Sequence, residues 1–117
     1  MSFLSFTQQP VSDQVTLIEL GTMLDNNNAE SVVQAIVQAQ ERGCKFVIMD
    51  CQKLEFLSSA GVGAILGTVG AFRDRGGDIV VCSASPTICH VLRVLDLLDF
   101  LTVKENRQQA LSVCELP

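Results

Sequence analysis

Two neighbouring hydroxyls, Ser58 and Ser59, are the residues of this sequence best placed for chemistry. They follow Leu54-Glu55-Phe56-Leu57 and precede Ala60-Gly61-Val62-Gly63. Upstream, Lys45-Phe46-Val47-Ile48-Met49-Asp50 reads as a buried strand; downstream, Ala64 to Phe72 reads as a helix. The serines therefore lie where a strand-to-helix loop meets a helix N-terminus. The first backbone N–H groups of a helix have no intrahelical partner, and the helix dipole adds roughly half a positive charge, so an anion is stabilised there. A serine at such a place can cap the helix, worth about 1 kcal/mol, or it can carry a phosphoryl group. Spacing alone favours the cap and leaves both roles open. Gly61 and Gly63 either permit a tight turn or let another backbone come close.

The remaining reactive residue types form no catalytic set. His90 is the only histidine and has no Ser or Cys partner in a catalytic arrangement, so it reads as a surface residue. There is no Gly-x-Ser-x-Gly elbow, no phosphate-binding loop and no Gly-x-Gly-x-x-Gly after a strand. Without an activating base the Ser59 hydroxyl is not a nucleophile unaided. It needs no such base if a partner's active site delivers the phosphoryl group, because that partner supplies base, metal and nucleotide. The expectation is a substrate and binding module with no enzymatic activity and no cofactor. Cys44, Cys51, Cys82, Cys89 and Cys114 are odd in number and irregular in spacing. They read as small buried hydrophobes in a reduced compartment. Cys82, Cys89 and His90 lack the paired close spacing of a structural zinc site, so no metal is expected.

The positioning elements follow from length and pattern. The 117 residues suit one domain, 1–117, and 48% hydrophobic residues are enough for a core without staples. The net charge of −5 comes without any Lys/Arg cluster, which argues against nucleic-acid binding. There is neither an 18-residue apolar run nor a basic-then-apolar start, so the expected location is cytoplasmic, away from membranes. Phe3 to Gln9 reads as an edge strand, Pro10 to Gln14 as a turn and Val15 to Leu20 as a strand, together a hairpin. Gly21 to Asn28 is a loop, with Asp25 suited to cap the next helix. Ala29 to Arg42 carries an apolar stripe of Ala29, Val32, Val33, Ile36, Val37 and Ala39, and Gly43 ends it. Asp50 closes the central strand near the serines, as a turn residue or as a group that positions something bound. The serine-led helix runs to about Arg73, followed by a turn at 74–78 and a strand at Ile79–Cys82. Ser85 caps a helix whose first residue is Pro86, with Ile88, Val91, Leu92, Leu95 and Leu98 turned inward. A strand at Asp99–Val103 and a helix from Lys104 to Val113 complete the chain, anchored by Ala110, Leu111 and Val113. Strands alternating with helices imply an α/β fold with a largely parallel sheet, made mixed by the leading hairpin.

Phe56-Leu57-Ser58-Ser59-Ala60-Gly61-Val62-Gly63 resembles the signature of the STAS domain of bacterial anti-sigma-factor antagonists. The resemblance runs from about Val15 to Ala110. Its phosphoacceptor position carries over to Ser59; Ser58 stands where the best-studied branch has Asp, and Ala60 where it has Ser or Thr. Gly21, Leu24 and Asp25 are similar to the family's Gly-x-x-Leu-Asp element, a loop implied to lie beside the phosphorylation loop and to help bind the partner kinase. The resemblance implies a STAS fold, with a four- to five-stranded mixed sheet and about four helices. It also implies a phosphorylatable switch that regulates sigma-factor-dependent transcription. The unphosphorylated protein would bind an anti-sigma serine kinase of the GHKL type, and phosphorylation of Ser59 would release it. The implied contact set is Asp25, Asn26, Asn27, Ser58, Ser59, Ala60 and Gly61, with the exposed side of the serine helix, Thr68 and Arg75 included. A phosphate on Ser59 would be repelled by Asp25 and Asp50 in a closed interface. Two other roles stay open: a STAS adaptor in a signalling or transporter assembly with no phosphorylation, and binding of a nucleotide or lipid in a crevice beside Asp25 and Ser59. Oligomeric state is also open, a weak homodimer included.

Overall fold

In chain order the elements are β1 (Phe6–Pro10), β2 (Val15–Leu20), β3 (Met23–Leu24), α1 (Ala29–Glu41), β4 (Phe46–Asp50), β5 (Phe56–Leu57), α2 (Ser59–Asp74), β6 (Asp78–Cys82), α3 (Pro86–Val94), β7 (Thr102–Lys104) and α4 (Arg107–Val113). This is a computed structural model that describes residues 6–115. The main sheet has the order β1-β2-β4-β6-β7, with β1 antiparallel to β2 and every other neighbour parallel. The expected mixed α/β sheet of four to five strands with about four helices is therefore present, and its leading hairpin supplies the antiparallel pair.

Strand β4 is buried along its whole length because β2 and β6 flank it and helices cover both faces. Side chains alternate between those faces. Val47 and Met49 join the larger core beneath α1, α2 and α3, while Phe46 and Ile48 join a smaller core beneath α4. Helix α1 buries Ala29, Val32, Ala35, Ile36 and Ala39. Its apolar stripe is thus turned toward Ala35, and Val33 and Val37 are only half-buried. Gly43 takes a φ of +93° just past α1, where a side chain would be strained. Ser85 caps α3 as expected: its Oγ accepts from the Ile88 N–H at 3.2 Å, and Pro86 is the first helical residue.

Several boundaries differ from the pattern reading. The first strand is Phe6–Pro10, while Phe3 to Ser5 lie outside the described residues. In α3, Ile88 and Leu92 are buried and Val91 is half-buried, but Leu95 is exposed because the helix ends at Val94. The last strand is Thr102–Lys104, and 99–101 form turns where Leu101 N–H reaches back to the Leu97 carbonyl. The final helix starts only at Arg107, since Asn106 is its cap and accepts from the Gln109 N–H at 2.9 Å. Cys44, Cys51, Cys82 and Cys114 are buried free thiols, and Cys89 is half-buried. Burial pushes the Cys51 thiol up to about 12 and that of Cys114 to about 11. His90 is exposed. No described helix is long and apolar enough to cross a membrane.

Candidate functional site

The two serines divide the work at the start of α2. Ser58 is extended, with φ −90° and ψ 157°, and its Oγ accepts from the Gly61 N–H at 3.0 Å. Its carbonyl accepts from the Val62 N–H at 3.0 Å. Ser58 is thus the N-cap, and its hydroxyl is committed to the helix. Ser59 is the first helical residue; it is exposed, and its hydroxyl makes no hydrogen bond among the described residues. Ala60 beside it is exposed as well. Residues 59–61 are therefore helical rather than part of a loop.

The Gly21–Asn28 loop is stitched to this helix start. Met23 and Leu24 pair in parallel with Phe56 and Leu57, forming the two-stranded ribbon β3–β5. The Glu55 and Phe56 N–H groups donate to the Thr22 carbonyl at 2.8 and 3.1 Å, and the Ser58 N–H donates to the Leu24 carbonyl at 3.0 Å. Gly61 is buried at this seam. A Cβ on it would stand 2.8 Å from the Leu24 carbonyl oxygen, so the absent side chain is what lets the two segments meet. Ribbons of two residues leave almost no periodic signal, so the sequence pattern did not disclose this one.

Asp25 shapes its own loop rather than capping α1. Its Oδ1 accepts from the Asn27 N–H at 2.9 Å, while its N–H donates to Asn28 Oδ1 at 2.9 Å. Asn28 holds the N-cap position without a side-chain cap bond, because its Oδ1 accepts instead from the Asp25 N–H, while its Nδ2 donates to the Met23 carbonyl at 2.7 Å. The fold thus gathers Asp25, Asn26, Asn27, Ser58, Ser59, Ala60 and Gly61 around one seam, with Asn26, Asn27, Ser59 and Ala60 facing solvent. Register neighbours Met23 and Phe56 add an exposed apolar pair, 47% and 50% accessible.

Three residues assigned to this site belong elsewhere. Asp50 is buried on the α4 face of the sheet, with Phe46 and Ile48, away from α2. Thr68 is also buried, and its hydroxyl donates to the Ile65 carbonyl at 2.6 Å, a common way for a helical threonine to satisfy itself. Arg75 lies past the far end of α2 and donates to the Gln40 carbonyl at 3.0 Å. The side of α2 that faces solvent carries Ser59, Ala60, Gly63, Gly67 and Gly70. A cleft of about 430 Å³ at the carboxyl ends of the strands is lined by Thr22, Gln52, Lys53, Leu54, Ser85 and Thr87, among others; neither Asp25 nor Ser59 lines it.

What holds Asp50 is an ion network absent from the pattern reading. Its Oδ2 accepts from Arg107 Nη2 at 2.6 Å and Nε at 3.1 Å, and its Oδ1 from the Gln52 N–H at 2.9 Å. Arg107 also reaches Glu19 at 3.0 Å, and Glu19 pairs with Lys53 at 3.0 Å. The Lys53 hydrogen bond and charge, helped by Arg107, hold the Glu19 carboxyl below its usual range. Asp50 and Arg107 are 57 residues apart, so spacing could not announce their pairing. The one available signal was an Asp closing an apolar strand, since a buried carboxylate requires a cation or donors.

Comparison with known proteins agrees with this geometry. The STAS domain family profile matches residues 7–110. An anti-sigma F factor antagonist from Paenibacillus polymyxa is 27% identical over 103 residues, covering 87% of this chain and 88% of its own. The unphosphorylated form of the anti-sigma factor antagonist SpoIIAA superposes with a TM-score of 0.79 at 23% identity, covering 92% of this chain and 93% of that one. The phosphorylated form of SpoIIAA, a Bacillus cell fate determinant, gives 0.72 at 23% identity over 94% and 99% of the two chains. At that identity these two structures attest the fold.

Proposed function

The chain belongs to the STAS-domain family, and on that premise we propose that it is an anti-sigma-factor antagonist, a protein-binding switch thrown by phosphorylation of Ser59. In its unphosphorylated form it binds an anti-sigma serine kinase of the GHKL type in the cytoplasm. That binding frees a sigma factor, and transfer of a phosphoryl group to Ser59 separates the pair. The protein itself acts as substrate and ligand, without catalysis or cofactor. One observation carries the reading: Ser59 is exposed at the first turn of a 16-residue helix, its hydroxyl without a hydrogen bond among the described residues, next to a serine whose own hydroxyl is occupied. The naming of the Paenibacillus relative and the existence of SpoIIAA in both forms support it.

The charge argument rests on this geometry. Phosphorylation adds about −1.5 to −2 charges at neutral pH. The α2 N-terminus tolerates them in the free protein. A partner packed over Ser59 would have to desolvate them beside the Asp25 loop, whose backbone is bonded to Ser58 through Leu24. Asp50 takes no part, being on the other face and paired with Arg107. The test is incubation with the cognate kinase and ATP. One phosphate on the wild type and on Ser58→Ala, with none on Ser59→Ala, is the expected result. A phosphate that survives Ser59→Ala refutes the acceptor assignment. Equal kinase affinity for wild type and Ser59→Asp refutes release by charge.

A further inference from the structure

Helices α1 and α2 pack side by side on one face of the sheet, and α3 rests against β5. Between α2 and α3 there is a cavity of about 40 Å³. Leu24 and Leu57 of the ribbon, Val62 and Ile65 of α2, and Ile88 and Leu92 of α3 are part of its wall, whose lining residues are all aliphatic or sulfur-bearing. We propose that this cavity is a binding site for the end of a short unbranched alkyl chain.

The chemistry of the wall selects that ligand. A water molecule needs two to four polar partners, and none line the cavity. The wall atoms facing the void lack dispersion partners, which an alkyl group restores. Apolar cavities of about 150 Å³ hold a benzene ring; at about 40 Å³ this one admits a methyl end and few methylenes, not a ring. The lining residues Leu57 and Leu66 are half-buried, so the wall reaches solvent at these two side chains, where the polar end of a guest would stay in water. Met49 lies in the wall and can adjust its shape to the guest. The site also touches the serine seam, because Leu24, Leu57 and Val62 belong to the segments that hold Ser58. A bound chain stabilises those segments by mass action. The Ser58 and Val62 amides, bonded to the carbonyls of Leu24 and Ser58, then exchange with solvent more slowly. None of this depends on phosphorylation of Ser59.

The experiment is a titration of the wild-type protein with ethanol, n-propanol, n-butanol, n-pentanol and n-hexanol, followed by methyl carbon–proton NMR. Saturable shifts are expected at the Leu24, Leu57, Val62 and Ile65 methyls, with affinity rising about fourfold per methylene until the cavity is full and level thereafter. Val81→Ile, which adds a methylene to the cavity wall, is expected to weaken binding by about fourfold, the worth of the one guest methylene it displaces. Shifts that never saturate, or that centre on the exposed Met23 and Phe56, overturn the proposal. So does affinity that keeps climbing with chain length, as for adsorption to a surface. The chain-length series on the wild type decides the matter even if Val81→Ile does not fold.

Discussion

Gly61→Ala tests the seam between the Asp25 loop and the serine helix most directly. The new Cβ would lie 2.8 Å from the Leu24 carbonyl oxygen and 3.1 Å from both its carbonyl carbon and Cγ. Two of those three contacts are backbone, so no side-chain rotation relieves them. The ribbon must shift, and the Ser58 N–H to Leu24 bond of 3.0 Å shifts with it. Overpacking of this kind costs about 1–3 kcal/mol. Alanine also gains about 1 kcal/mol over glycine through helix propensity, which would blur a single measurement. Gly67→Ala supplies the control: it lies on the same helix, is exposed, and has nothing within 4 Å of its added Cβ. The propensity gain is common to both variants, so their difference isolates the steric term. Gly61→Ala should therefore melt below Gly67→Ala by an amount equivalent to about 1–3 kcal/mol, at roughly 4 °C per kcal/mol for a domain of this size. Gly67→Ala itself should melt above wild type. Differential scanning calorimetry on the three proteins reads both comparisons. Equal melting temperatures for the two variants would show that the ribbon does not press on the first turn of α2.

Replacing the adjacent serines should separate their roles in urea unfolding: Ser58→Ala loses about 1 kcal/mol with its cap bond, and Ser59→Ala stays within about 0.5 kcal/mol of wild type. The reverse order would contradict the capping assignment. Arg107→Met strands the buried Asp50 carboxylate with only the Gln52 N–H, and should cost about 1–3 kcal/mol after allowance for the exposure of Arg107. A double-mutant cycle with Asp50→Asn should recover part of that loss, and additive losses would mean the pair is not coupled. At alkaline pH the unfolded chain releases the Cys51 proton from about 9.0, while the folded chain holds it to about 12. Stability should therefore fall as pH rises from 9 toward 12, by up to about 1.4 kcal/mol per pH unit from this thiol. Cys51→Ala should flatten that slope relative to its own neutral-pH stability, and an unchanged slope would count against the buried thiol as its source.

Residues whose role is local were readable from the sequence; residues whose role depends on distant partners were not. Ser85 and Pro86 announced α3 because a cap and a first-turn proline act within four residues. The apolar run into β4 announced a covered central strand, and the glycine–serine stretch announced the start of α2. At the site, neighbouring serines looked equivalent, since which hydroxyl turns toward the Gly61 N–H is decided by the extended backbone at Ser58. Asp50 looked like a site residue because it ends the strand that leads to the serines, but alternation along β4 sends it to the opposite face. Thr68 looked available as a polar residue on a surface helix, yet it sits among the buried positions of α2. The β3–β5 ribbon eluded pattern reading because each strand of it is two residues long and pairs only with the other.

Anchoring and availability are assigned to different side chains at the head of α2. A group added to the outer oxygen leaves the inner one still fastened to the backbone, so the helix keeps its origin whether the outer position is bare or decorated. A single serine asked to do both would loosen its own footing each time it was modified. A phosphate placed on Ser59, as proposed, would leave the Ser58 bond to the Gly61 N–H in place.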